Sequence, residues 1–132
     1  VAHSWMKLAP KIGVKLKFVS PESLRPANVK VSDWSSSMSF LKECDVLMAL
    51  RIQKERFDGI AESEKSSAQM ASNYCLKSDS LGPKQFFMAP GPVYWGQELG
   101  EDMKEHSRSL VLMQAQVGEL LRRQLISALS VY

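Results

Sequence analysis

The chain has 132 residues and a formal charge of +3, with 45% apolar, 23% charged and 8% aromatic residues. That length and balance exclude a disordered or low-complexity chain and fit one domain able to bury its own core. No apolar run approaches the ~18 residues of a membrane span; the charge is local, residues 1–30 carrying +5 and residues 31–132 carrying −2, too small a surplus to argue for nucleic acid.

Between His3 and Ile12 the apolar positions Trp5, Met6, Leu8, Ala9 and Ile12 recur at helical spacing, and Gly13 stands where a helix stop is expected. The alternation Val14-Lys15-Leu16-Lys17-Phe18-Val19 predicts a strand with Val14, Leu16 and Phe18 on one face, closed by Ser20-Pro21. Residues 20–36 read as loop with one helical turn near Ser23. Ser37 is a plausible cap for a short helix to Cys44 that buries Met38, Phe40 and Leu41. The unbroken apolar run Val46-Leu47-Met48-Ala49-Leu50 predicts a strand covered on both faces, which leads directly into Arg51-Ile52-Gln53-Lys54-Glu55-Arg56. Residues 58–72 are small and polar and predict a mobile loop with one weak helix. Asn73 to Leu81 predicts a short helix stopped by Gly82-Pro83, and residues 85–89 a third strand ended by Pro90-Gly91-Pro92. Leu110, Met113, Val117, Leu120, Leu121, Leu125, Ile126 and Leu129 keep helical spacing, so the longest helix runs from near Ser109 to the C-terminus.

Alternating helices and strands with short connections predict one α/β domain over residues 1–132. The expected architecture is an open, doubly wound, mainly parallel sheet with helices on both faces, a Rossmann-like three-layer sandwich. Ligands of such sheets sit beyond the carboxyl ends of the strands. Here those ends are Ser20-Pro21, Arg51-Ile52-Gln53 and Pro90-Gly91-Pro92.

Arg51 and Gln53 lie two apart, so an extended backbone sends both side chains to one side. A guanidinium can clamp a carboxylate through two parallel hydrogen bonds, and a carboxamide beside it can meet an amine. The same string also reads as a solvated cluster of ion pairs. Pro90-Gly91-Pro92 can leave carbonyl oxygens to accept from an amide-bearing ligand, or can simply stop the strand. His3 is a possible acid/base or orienting group, or a surface residue. Tyr94 and Trp95 can stack on a ligand or cover the end of the core. Cys44 and Cys75 show no metal-ligand spacing and read as buried or half-buried thiols in a reducing cytoplasm. No phosphate loop, metal constellation or nucleophile motif is present, so no cofactor is expected. The chain opens on Val1-Ala2-His3 without an initiator Met, and an upstream segment is expected.

The string Leu50-Arg51-Ile52-Gln53-Lys54-Glu55-Arg56-Phe57 resembles the aspartate carbamoyltransferase family. Val1-Ala2-His3-Ser4 is similar to the opening of that family's second domain, Met88-Ala89-Pro90-Gly91-Pro92-Val93 to its His-Pro-Gly-Pro or His-Pro-Leu-Pro turn, and Ser109 to Leu129 to its last helix. The resemblance implies that Arg51 binds the aspartate carboxylate and Gln53 positions the same substrate. It implies that the Pro90-Gly91-Pro92 backbone takes the amide of carbamoyl phosphate, with His3, Lys54 and Arg56 as candidate supports. Attack of the aspartate amine on the carbamoyl carbon would expel phosphate, with no residue of this chain forming a covalent intermediate. The phosphate-binding residues would lie in a first domain outside this chain, and the complete protein would be a cytoplasmic homotrimer. Ala89 stands where the family has histidine, and Tyr94-Trp95 where its Gly-Pro branch has asparagine and arginine. Ala89 and Trp95 keep a non-catalytic homologue open as one alternative, a small-ligand sensor domain is a second, and Arg51 and Gln53 speak against the ornithine-using sister family.

Overall fold

The structure, a computed structural model, describes residues 1–51, 69 and 72–130. Helix α1 (Ala2–Leu8) tightens into a 3₁₀ turn over Ala9–Ile12, where Pro10 has no amide to donate to the helical ladder. Gly13 ends it at φ 72°, a left-handed conformation that glycine adopts without a Cβ penalty, and the Val14 amide closes the turn on the Ala9 carbonyl at 3.0 Å. The predicted stop at Gly13 is therefore met in both place and mechanism.

Strand β1 (Phe18–Val19) is much shorter than the alternation from Val14 predicts. Its parallel partner, β2 (Trp34–Ser35), supplies only two residues to pair, in the register Phe18 to Trp34 and Val19 to Ser35. Beyond that ladder nothing rewards extending the strand, and Val14 and Lys15 are exposed. β2 itself lies in the stretch read as loop, which also holds 3₁₀ turns over Glu22–Leu24 and Val31–Asp33. Trp34 explains why: its indole Nε1 donates to Ser20 Oγ at 3.0 Å and Arg25 lies over its ring at 4.9 Å. Lys17 then bridges this sheet to the 3₁₀ segment Met38–Glu43, pairing with Glu43 and lying 4.3 Å from the Phe40 ring centroid. Ser37 caps that segment as expected, its side chain accepting from the Ser39 amide at 3.3 Å.

The second sheet pairs β3 (Val46–Met48) with β4 (Phe86–Met88) in parallel, Leu47 opposite Phe87 and Met48 opposite Met88. The prediction that the apolar run is covered on both faces is corrected here: Leu47 and Phe87 are buried, but Val46 is 46% and Phe86 43% exposed. Leu47 and Phe87 point into a core shared with Leu76, Leu81, Ala89, Leu99 and Met103. The helix expected from Asn73 to Leu81 is broken instead. Residues 72–74 are helical, Leu76 bridges to Leu99, and a 3₁₀ turn follows over Ser78–Ser80.

One buried polar side chain ties these pieces together. Gln85, 5% exposed, donates from Nε2 to the carbonyls of Leu41 and Cys44 and accepts from the Gly82 amide at 2.8 Å. It links the entry to β3 with the entry to β4. Gln85→Leu leaves the Gly82 amide and the Cys44 carbonyl without these partners and is expected to cost about 2 kcal/mol of stability. The loss is read as a lower urea midpoint at unchanged m-value; a loss under about 0.5 kcal/mol would show that water replaces the carboxamide.

Helix α2 (Val111–Leu129) starts two residues after Ser109. Among the described residues its anchors lie at its beginning: Leu110 N donates to the Phe87 carbonyl at 2.8 Å, Val111 packs on the core and the Gln114 carboxamide donates to the Ala89 carbonyl. Its apolar stripe faces outward, with Ile126 65% and Leu129 76% exposed. The elements are thus helices and small parallel sheets, compatible with an α/β fold. Cys44 and Cys75 are half-buried thiols without a disulfide, and burial pushes both above the ordinary cysteine pKa.

Candidate functional site

Parallel pairing sets the site. Because Met48 lies beside Met88, and the Ala49 amide donates to the Met88 carbonyl at 2.9 Å, both chains leave the sheet at one edge. Arg51 departs from β3 there and Pro90-Gly91-Pro92 from β4. These two sequence-predicted strand ends are therefore neighbours. Tyr94 makes the link concrete, since the Arg51 guanidinium carbon lies over its ring at 5.2 Å from the centroid.

The turn itself is exposed at Gly91 and Pro92, and its Gly91–Pro92 peptide is cis. Among the described residues the carbonyls of Pro90, Gly91 and Pro92 take no intramolecular hydrogen bond, whereas the Ala89 carbonyl is occupied by Gln114. Among the described residues a Cβ on Gly91 would meet no atom within 4 Å, so none of them fills the space beside the turn. A cation on one strand end and carbonyl acceptors on the next can together receive a small ligand bearing a carboxylate and an amide or amine.

Gln53, Lys54 and Arg56, with most of the loop expected over residues 58–72, lie outside the described residues. His3 is exposed on α1, and among the described residues no hydrogen bond, ion pair or ring contact joins it to Arg51 or to the Pro90-Gly91-Pro92 turn. Ser20, at the third expected strand end, is committed to its own sheet: its hydroxyl accepts from Trp34, and its amide donates to the Ser35 carbonyl at 3.3 Å. The described contacts thus bring together two of the three predicted strand ends.

Three residues acquire roles that the sequence reading left open or did not see. Tyr94 faces Arg51, while Trp95 packs against the core and bridges to Leu99 with Lys104 at 6.0 Å from its ring. Gln114 was not singled out. Its only signal is a carboxamide one helical turn past Leu110, on a stripe otherwise apolar at that spacing. Among the described residues no group of three or more His, Cys, Asp or Glu side chains gathers as a metal site, and no helix is long and apolar enough to cross a membrane.

A family model described as "Aspartate/ornithine carbamoyltransferase, Asp/Orn binding domain" matches residues 1–129. Over 138 aligned residues the chain is 29% identical to the aspartate carbamoyltransferase catalytic subunit of Methylorubrum populi, covering 100% of this chain and 43% of that protein. The corresponding subunits of Brucella anthropi and Brucella ovis are each 30% identical over 135 residues, covering 98% of this chain and 41% of theirs. The chain therefore spans less than half the length of the curated relatives it matches.

Proposed function

The chain belongs to the aspartate/ornithine carbamoyltransferase family, matching its Asp/Orn-binding domain, and from that premise we propose that it is the aspartate-binding half of an aspartate carbamoyltransferase. The observation that carries this reading is the contact of the Arg51 guanidinium, past the end of β3, with the ring of Tyr94, two residues past the Pro90-Gly91-Pro92 turn that ends the paired strand β4. Arg51 holds a carboxylate of L-aspartate, with Gln53 beside it. The backbone of Pro90, Gly91 and Pro92 accepts from the amide of carbamoyl phosphate, and His3, Lys54 and Arg56 support the two substrate sites. The aspartate α-amine attacks the carbamoyl carbon; a C–N bond forms, the C–O bond to phosphate breaks, and the amine gives up a proton as phosphate leaves. Positioning and fixed positive charge lower the barrier, and no residue of this chain becomes covalently attached.

The phosphate-binding half lies on another domain of the complete protein. The outward apolar stripe of α2 supports contact with that domain, because a patch of this kind is rarely left in water. The full α/β domain is a doubly wound three-layer sandwich, and the complete protein works in the cytoplasm as a homotrimer. One observation favours a second reading, a non-catalytic homologue: Ala89, where the family has histidine, is buried and its carbonyl is held by Gln114.

Product analysis separates the readings. The complete protein, given carbamoyl phosphate and either L-aspartate or L-ornithine, is expected to form N-carbamoyl-L-aspartate and phosphate, while residues 1–132 alone release none. Citrulline as the product would overturn the substrate assignment, and no product from either amine would favour the non-catalytic homologue.

A further inference from the structure

Tyr94 lies in a stretch whose backbone is fixed from both sides. Val93 and Trp95 pack against the core, and Trp95 bridges to Leu99. The Gln97 amide donates to the Tyr94 carbonyl at 3.1 Å, Gly96 turns the chain at φ 80°, and the Gly96 amide donates to the Leu99 carbonyl at 2.7 Å. With its neighbours anchored, the Tyr94 ring is held outward, 44% exposed, and it meets the Arg51 guanidinium at 5.2 Å. That separation is inside the roughly 6 Å range over which a cation is attracted to an aromatic face.

An arginine at an exposed strand end has four side-chain torsions to order before it can clamp a carboxylate. A ring held against the guanidinium removes much of that freedom, and a π face leaves free for a carboxylate those N–H groups that do not point at it. It also takes water from the side it covers and strengthens the attraction for an anion arriving elsewhere on the guanidinium. Resting on the reading of Arg51 as the aspartate-carboxylate ligand, we propose that Tyr94 is a positioning residue that preorganises Arg51 for bidentate carboxylate binding. The ring supplies the effect, and the hydroxyl is dispensable.

The test is the steady-state kinetics of the complete protein at saturating carbamoyl phosphate. Tyr94→Ala and Tyr94→Leu are expected to raise the aspartate KM about two- to fivefold with kcat within about twofold of wild type, and Tyr94→Phe to keep the wild-type KM. In an Arg51→Ala background, Tyr94→Ala is expected to change KM no further, since the two side chains act as one unit. A wild-type KM for Tyr94→Leu would mean that bulk alone suffices, and would overturn the proposal. So would an unchanged KM for Tyr94→Ala in a protein whose Arg51→Ala variant is impaired, with the Arg51 assignment left standing. An Arg51→Ala variant with wild-type KM would instead remove the site reading itself, and this inference with it.

Discussion

Arg51→Ala is expected to weaken dicarboxylate binding to the complete, carbamoyl-phosphate-loaded protein by about 30-fold or more. Two charge-assisted hydrogen bonds form together, and removing one charged partner costs about 2 kcal/mol or more. Succinate is the suitable titrant, because it keeps both carboxylates of aspartate and lacks the nucleophilic amine, so equilibrium heats can be measured without turnover. Arg51→Lys is expected to fall between, since an ammonium retains the charge but not the planar fork. Neither substitution should move the unfolding transition, because Arg51 is exposed beyond the end of β3. A change in succinate affinity under about twofold for Arg51→Ala would take Arg51 out of the site.

Phe87→Ala should act in the opposite sense, on stability first and on binding only as a consequence. Phe87 is completely buried at the centre of the core, edge-on to His106 with ring centroids 5.8 Å apart. Its amide donates to the Arg108 carbonyl at 3.2 Å and its carbonyl accepts from Leu110 at 2.8 Å, so β4 is stitched to the segment that leads into α2. Truncating a buried phenylalanine costs about 3–5 kcal/mol, the lost transfer energy plus the cavity left behind. That is a large share of the roughly 5–15 kcal/mol that holds a typical domain together. Urea unfolding measures it directly, and Phe87→Leu is expected to recover most of the loss. A cost below about 1.5 kcal/mol for Phe87→Ala would mean that the core closes around the gap, and that Phe87 is not its centre.

Together the two variants separate the site from its scaffold. Phe87 stands two residues before Ala89, whose carbonyl the Gln114 carboxamide holds, and Pro90 follows. The turn that offers its carbonyls is therefore only as well placed as the core behind it. Arg51 is exposed beyond β3, and its removal is expected to leave the buried core in place.

How far each feature could be read from the residues depends on how local its cause is. The stop at Gly13 needs a left-handed residue after an apolar helical face, and the cap at Ser37 needs a hydroxyl beside exposed amides. Both causes lie within a few residues of the effect. β3 and β4 were legible in the same way, as apolar runs bounded by charge or by proline. The strand at Trp34–Ser35 was not, because its cause is a ring meeting Ser20 and Arg25, and a Ser-rich stretch carries no periodicity that announces such a partner. β1 was overextended for the same reason: alternation says which face a strand would bury, but the length of the ladder is set by what pairs with it.

The sequence by itself determined the family, the strand ends and Arg51 and the Pro90-Gly91-Pro92 turn as candidates, because these are properties of short strings and their immediate neighbours. Only the tertiary structure decided which of them meet. Parallel register brings Arg51 to Tyr94, the anchoring of Val93 and Trp95 holds that ring in place, and the Gln114 carboxamide takes the Ala89 carbonyl. The same holds for α2, whose apolar stripe was plain in the sequence while its outward direction was not. Periodicity fixes the relation of a side chain to its own element; what that side chain touches depends on residues far along the chain, and on a register that no single segment encodes.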